Sequence, residues 1–300
     1  DNGADPELLL QRADVAMYYA KHTRIHIASY HKDMDSDSHS NMIMSRDLRD
    51  GINNDQFKAI FQPKVSLSTG GVCGVELLLR WQHPSLGLLK PEQFIPLAER
   101  DNLIGELTRW AMRKYLPELV SIVGQFPKLH VSINVSPNDL LDSFLFKEII
   151  NIAEETSYPL KNLFIEVTEN AIMQNPDRSV DILNNFNNAG IGVSVDDFGT
   201  GYSSLAYLQK FPISELKIDK SFIHNLEKGS SNYPIVSATI TMAHDLDIKV
   251  TAEGVEKAAE ARLLKEMGCD YVQGFLFSHP VELEPLEEFI KLNLSNAGAC

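Results

Sequence analysis

The chain has 300 residues, 44% of them apolar, enough to bury a full core in one large domain or two ordinary ones. A net charge of -14 argues against polymeric nucleic acid as a partner, because phosphate backbones are held by an excess of Lys and Arg. No long apolar run and no charged-then-apolar leader occurs, and Cys73, Cys269 and Cys300 are odd in number and far apart. Neither a membrane contact, a signal peptide nor a disulfide or zinc framework is therefore expected, and a reducing cytoplasm is the expected location.

In chain order, Pro6 to Lys21 has helical periodicity and Arg24 to Tyr30 reads as a short strand. Lys32 to Ser40 is too hydrophilic to bury and reads as a linker or the start of a connecting helix. The opening at Asp1, without Met, is expected to mark a piece of something longer, with residues 1–32 as the tail of a domain, 33–50 as a linker and 51–300 as the main domain. From Gln56 onward strand-like runs alternate with amphipathic helical stretches, the pattern of an α/β fold. The strands fall at Ala59–Leu67, Cys73–Trp81, His130–Val135, Leu163–Val167, Gly192–Asp196, Glu215–Ile218, Lys249–Ala252 and Tyr271–Phe275. Eight strands over this length predict a closed (β/α)₈ TIM-like barrel. Between the first two lies only Ser68 to Val72, too short for a parallel crossover, so the first strand is predicted antiparallel to the second. Pro63 within the first strand agrees, since proline suits a position without a ladder hydrogen bond.

In such barrels functional groups cluster at the carboxyl ends of the strands. The period of two puts Glu76, Leu78 and Arg80 on one face, then Ser132, Asn134 and Ser136, and it puts Lys217 with Asp219 and Thr251 with Glu253. Other strands end in Glu166-Val167-Thr168-Glu169, in Asp196-Asp197 ahead of Phe198-Gly199-Thr200-Gly201, and at Gln273. Taken singly, a Glu at a strand end more often is solvated or caps the next helix. Asp196-Asp197 alone equally suits a cap or turn, and Lys217 alone could pair with Asp219 or a rim Glu. Jointly, the set converges on one rim.

His83, His130, His224, His244 and His279 show no HxH or HxxxH spacing, so a metal site among the strand ends would be oxygen-rich. Carboxylates with an amide oxygen from Asn134 suit hard cations such as Mg²⁺ or Mn²⁺. Five acids exceed the charge of one divalent ion, and paired ions roughly 3.5–4 Å apart are the usual apparatus of phosphodiester hydrolysis.

The ordered series Gln62-Pro63, Glu76-Leu77-Leu78-Leu79-Arg80-Trp81, Asn134-Val135-Ser136, Glu166-Val167-Thr168-Glu169, Asp196 to Leu205, Lys217-Ile218-Asp219, Ala252 to Glu256 and Gln273-Gly274-Phe275 resembles the EAL-type phosphodiesterases of cyclic di-GMP. The triplet Glu76-Leu77-Leu78 departs from the family's Glu-Ala-Leu, and alternation sends Leu77 toward the helices, where it alters packing and not chemistry. Residues 1–32 resemble the last helix and strand of a GGDEF domain, without its catalytic motif. By this resemblance Glu76, Asn134, Glu166, Asp196, Asp197 and Glu253 hold two divalent cations, Mg²⁺ or Mn²⁺, which activate the attacking water. The resemblance further implies that Lys217 orients or deprotonates that water and that Arg80 clamps a phosphate oxygen, with Gln62, Asp219, Glu256 and Gln273 as substrate contacts or supports. Glu169 anchors the loop 198–205, through which a homodimer is implied, and the implied product is linear pGpG. Missing upstream sequence could tether the protein to the inner membrane. The other classes open to this sequence are a cyclic di-GMP sensor without turnover and a protein-interaction scaffold, and the intact acid set argues against both.

Overall fold

The polar run from Asp33 opens a helix, α1 (Asp33–Asn53), in the computed structural model, which describes residues 6, 9, 10, 12, 13, 16, 17, 20, 27–31, 33–140, 142, 144–201 and 205–294. The described residues between Pro6 and Ala20 are helical, whereas Ile27 to His31 belongs to no strand. The rest of the helix and strand expected before Lys32 lies outside the described residues. Among the described residues, no helix is long and apolar enough to cross a membrane.

The chain divides into two compact units, one of residues 1–58 and 80–104, the other of residues 59–79 and 105–300. The smaller has an aromatic centre. Phe57 stacks on Trp81 with ring centres 4.9 Å apart, Phe94 meets Phe57 edge-on at 5.4 Å, and Trp81 Nε1 donates to Gln56 Oε1 at 3.1 Å. To this unit α1 adds the buried Met44, Leu48 and Ile52, and α2 (Pro91–Arg100) adds Phe94, Leu97 and Ala98. It also holds β3 (Gly87–Leu89), a strand not expected from the sequence, which pairs antiparallel with Trp81 to His83. The turn before it is fixed by His83 Nδ1, which accepts from the N–H groups of Ser85 and Leu86, each at 3.2 Å.

In the larger unit the strands close into a ring. Its members are β1 (Phe57–Ser66), β2 (Val72–His83), β4 (His130–Asn134), β5 (Leu163–Thr168), β6 (Gly192–Phe198), β7 (Glu215–Ile218), β8 (Lys249–Ala252) and β9 (Tyr271–Val272), with β1 and β2 contributing residues to both units. Around the ring the order is β1-β9-β8-β7-β6-β5-β4-β2, and a β1–β2 pairing closes it. From β2 through β4 to β9 every neighbouring pair is parallel, and only β1 runs the other way against β9. The reversed first strand therefore follows from its short hairpin, where Ser66 N–H donates to the Gly71 carbonyl at 2.9 Å.

The longer crossover helices are α3 (Ile104–Gln125), α4 (Leu145–Thr156), α5 (Pro176–Asn188), α6 (Asn232–Asp245) and α7 (Ala258–Glu266), and α8 (Leu283–Leu294) follows the last strand. The start of α5 shows how they begin: Asn175 caps it by accepting from Arg178 N–H, and Pro176 sits in the first turn, where no N–H is missed. Alternate strand residues such as Val75, Leu77, Val131, Ile133, Val193, Val195, Leu216 and Val250 form one continuous apolar layer with Met112, Leu116, Ile152, Leu183 and Ile240 of the helices. Leu77 is 4% exposed within that layer, so the Leu in place of Ala is a packing residue.

Two strand ends differ from expectation. The last strand stops at Val272 because Gly274 turns the chain against Val255, so closely that a Cβ there would lie 2.2 Å from the Val255 carbonyl oxygen. The strand expected to end at Asp196 continues to Phe198, with its register to β7 shifted between Val195 and Phe198.

Candidate active site

The strand residues that alternate away from the helices point into the barrel, and at the carboxyl ends they meet around one ammonium. Lys217 Nζ, on β7, lies 2.7 Å from Glu166 Oε2, 2.7 Å from Glu253 Oε1, 3.2 Å from Glu76 Oε2 and 3.3 Å from Asp196 Oδ1. Burial alone would lower the lysine's pKa, but the carboxylates of Asp196, Glu166, Glu253 and Glu76 outweigh it and hold Lys217 well above its ordinary value. It is an ammonium donor in these surroundings.

The acids respond unequally. Burial would raise Glu76, yet the Lys217 charge and hydrogen bonds from Asn134, Gln273 and Lys217 hold it below the usual carboxylate range. Glu166 is pushed up to about 8 by burial and by the charges of Glu76 and Asp196, against Lys217. Glu253 is raised by its enclosure and by Asp196 and Glu76, despite Lys217. Asp197 is raised by burial and by Asp196 and Asp219. One ammonium is too little positive charge for this set, and Glu166, Glu253 and Asp197 are held above the usual carboxylate range.

Asp196 and Asp197 are adjacent, so an unbroken strand would aim them at opposite faces. The register shift in β6 removes that constraint, with Asp197 in the left-handed region at φ 55°. Carboxylate oxygens of Asp196, Asp197 and Glu253 consequently all lie within 4.8 Å of one another. Asn134, exposed at the end of β4, donates from Nδ2 to Glu76 Oε1 at 2.8 Å, and its carbonyl oxygen is the atom it can offer a cation. This set fits hard divalent cations: every candidate donor is oxygen, and five carboxylates against one ammonium leave four negative charges, the charge of two such ions.

Gln273 Nε2 donates to Glu76 Oε2 at 2.7 Å and to Gln62 Oε1 at 3.2 Å, so both glutamines join the rim. Glu169, 2% exposed, opens the short helix Glu169–Gln174 and accepts through Oε2 from Gly199 N–H at 2.8 Å. Gly199 needs φ 96°, and a Cβ there would press on the Phe222 ring at 2.9 Å, so the loop after Asp197 is held by its backbone. Beyond Gly201 this loop passes out of the described residues at Tyr202, Ser203 and Ser204, where the expected dimer surface falls.

The chain matches the EAL domain model over residues 45–280. It belongs to the EAL domain family. Among curated proteins it is 36% identical over 293 residues to the cyclic di-GMP phosphodiesterase NbdA of Pseudomonas aeruginosa, covering 97% of this chain and 37% of the relative. It is 37% identical over 280 residues to the bifunctional diguanylate cyclase/cyclic di-GMP phosphodiesterase MucR of the same organism, covering 93% of this chain and 41% of the relative. The chain thus spans about two fifths of the length of these relatives. Among solved structures it superposes on the MucR phosphodiesterase in complex with cyclic di-GMP with a TM-score of 0.77, at 39% identity, over 80% of this chain and 98% of that one. For the EAL enzyme Bd1971 in its cAMP- and cyclic di-GMP-bound form the TM-score is 0.80, at 30% identity, over 96% of this chain and 77% of that one.

Three further residues, Asp219, Glu256 and Arg80, are expected in the EAL site. Asp219 is half-buried at the end of β7, where its Oδ1 caps a short helix by accepting from Ser221 N–H at 2.9 Å, and its charge reaches Asp197. Glu256 is exposed, and its backbone N–H donates to Glu260 Oε2 at 3.2 Å. Arg80 belongs to the smaller unit, where burial lowers its guanidinium pKa and the Glu92 carboxylate opposes that effect. The EAL barrel also contains a buried pair the sequence reading passed over, Lys64 and Glu215, with Lys64 Nζ 2.5 Å from Glu215 Oε2. The signal available for it was spacing: Lys64 is two residues from Gln62, and Glu215 two from Lys217.

Proposed function

We propose that this EAL domain hydrolyses cyclic di-GMP to linear pGpG with two divalent cations, Mg²⁺ or Mn²⁺. The observation that carries the reading is the oxygen cluster of Asp196, Asp197 and Glu253 beside the lysine-bridged Glu76 and Glu166. Relatives and a superposing structure whose names specify cyclic di-GMP phosphodiesterases support the choice of substrate.

Glu76, Asn134, Glu166, Asp196, Asp197 and Glu253 would hold the cations. When bound, these supply Lewis acidity to a water and to a phosphoryl oxygen. The chain's own groups do the rest. Lys217, held charged by its acids, directs N–H donors at the attacking water or the phosphate, and the orienting role suits it better than that of a base. Gln273 braces Glu76, Gln62 accepts from Gln273, and both offer amides to the nucleotide. Glu169, by fixing Gly199, keeps the Asp196-Asp197 bulge and its loop in place. Arg80 suits a bidentate hold on a phosphate oxygen. Asp219 and Glu256 are read as contacts to the guanine or ribose groups.

Residues 1–32 we read as the tail of a GGDEF-type domain joined through α1, with dimerisation through the loop 198–205. The bifunctional cyclase and phosphodiesterase that aligns with 93% of the chain supports the first of these. The test of the activity is Asp196→Asn, which should abolish hydrolysis while cyclic di-GMP still binds. A variant that hydrolyses as the unaltered protein does would remove Asp196 from the mechanism, and an unaltered protein that binds without turnover would make the domain a sensor.

A further inference from the structure

Beneath the layer of Lys217 and its acids, the barrel interior holds a second buried charge set that the proposed chemistry does not use. Lys64 on β1 and Glu215 on β7 are 2% and 1% exposed. The ammonium lies 2.6 Å from Oε1 and 2.5 Å from Oε2 of the glutamate. Thr251 Oγ1 donates to the same Oε1 at 2.8 Å, and the Phe164 and Tyr271 rings flank Lys64 with centres 5.9 Å away. In the ring, β9 and β8 stand between β1 and β7, so this side chain reaches across two strands to its partner. The period of two puts Gln62 on the same face as Lys64 and Lys217 on the same face as Glu215. Since β1 runs opposite to the others, Gln62 is one layer nearer the mouth than Lys64.

The stretch of β1 that carries Gln62 has little ladder on its β9 side. Its registered partners there are Val65 with Val272 and Ser66 with Tyr271, and the next link toward the mouth is the bridge of Phe61 to Val281. Between them lies Gln62-Pro63-Lys64, and Pro63 has no N–H to give. A buried ion pair is a weak route to stability, because uncharged side chains of similar shape often serve as well. What it does supply is a fixed height for one strand against another.

We propose that Lys64 and Glu215 are a positioning pair that clamps β1 to β7 through the barrel and so holds Gln62 where it meets Gln273 and the substrate. The substrate half of this inference rests on the phosphodiesterase reading. The test is the double variant Lys64→Met/Glu215→Gln in the full chain, in which no buried charge is stranded and Gln keeps an acceptor for Thr251. Its melting temperature should stay within a few degrees of the unaltered protein. Amide exchange at Phe61, Gln62, Lys64 and Val65 should quicken about tenfold, and KM for cyclic di-GMP should rise about tenfold, the loss of one well-placed hydrogen bond, with kcat within about twofold. Lys64→Arg should restore both. Unchanged exchange and KM in a stably folded double variant would overturn the proposal, as would a KM shift that only follows a fall in melting temperature. If the unaltered protein neither binds nor turns over cyclic di-GMP, the phosphodiesterase reading fails, and the exchange measurement still decides whether the pair positions β1.

Discussion

Lys217 is the residue on which the site's charge balance turns. With Glu76, Glu166, Asp196 and Glu253 within 3.3 Å or less, its removal strands buried negative charge. Lys217→Met is therefore expected to lose about 3–5 kcal/mol of stability in urea unfolding, and added Mg²⁺ should restore more stability to the variant than to the unaltered protein. Asp197 separates backbone from chemistry, because Asn tolerates its left-handed conformation almost as well as Asp while a β-branched residue does not. We expect Asp197→Asn to fold normally and to lose hydrolysis on the order of a hundredfold. Asp197→Val should in addition lose about 1–2 kcal/mol of stability.

At the scale of elements, the loop after β6 depends on a single carboxylate. Glu169→Ala removes the acceptor of Gly199 N–H. Amide exchange at Gly199 should quicken and kcat should fall roughly tenfold with the barrel still folded, as measured by exchange and steady-state kinetics. Alternation along the strands makes Glu76, Glu166, Lys217 and Glu253 readable as one rim, because each sits at the same phase of a strand whose other face is apolar. Asp196 and Asp197 are not readable together in that way. Nothing in their sequence announces the bulge that brings both to the mouth, and their place on the rim is legible only as a strand end ahead of a glycine loop. The three-residue β3 escapes notice because Gly87-Leu88-Leu89 is too short to show a period. The last strand reads too long because Tyr271 to Phe275 keeps an apolar, strand-like composition through the turn that Gly274 makes.

For the whole molecule, the reversed first strand and the eight-membered ring are legible because they rest on loop length and strand count. Lys64–Glu215 is not, since that contact joins positions 151 residues apart. The interior charge layers also make the barrel's stability depend on pH. Burial, with Lys64 adding to it, lowers His130 to about 3 from its ordinary 6.5. The folded state thus refuses a proton that the unfolded chain accepts, and its contribution is fully present above pH 6.5 and lost as pH falls toward 3. His130→Phe keeps a ring against Phe164 and removes the titration. Below pH 6.5 its unfolding free energy should decline less steeply than that of the unaltered protein, by about 1.4 kcal/mol for each pH unit. The most direct measurement is to incubate the purified protein with cyclic di-GMP and Mg²⁺ or Mn²⁺ and to separate the products by chromatography. Linear pGpG should accumulate, stop on addition of EDTA and be absent with Asp196→Asn. Undiminished binding of cyclic di-GMP with no pGpG formed under either cation would contradict the assignment of this barrel as a phosphodiesterase.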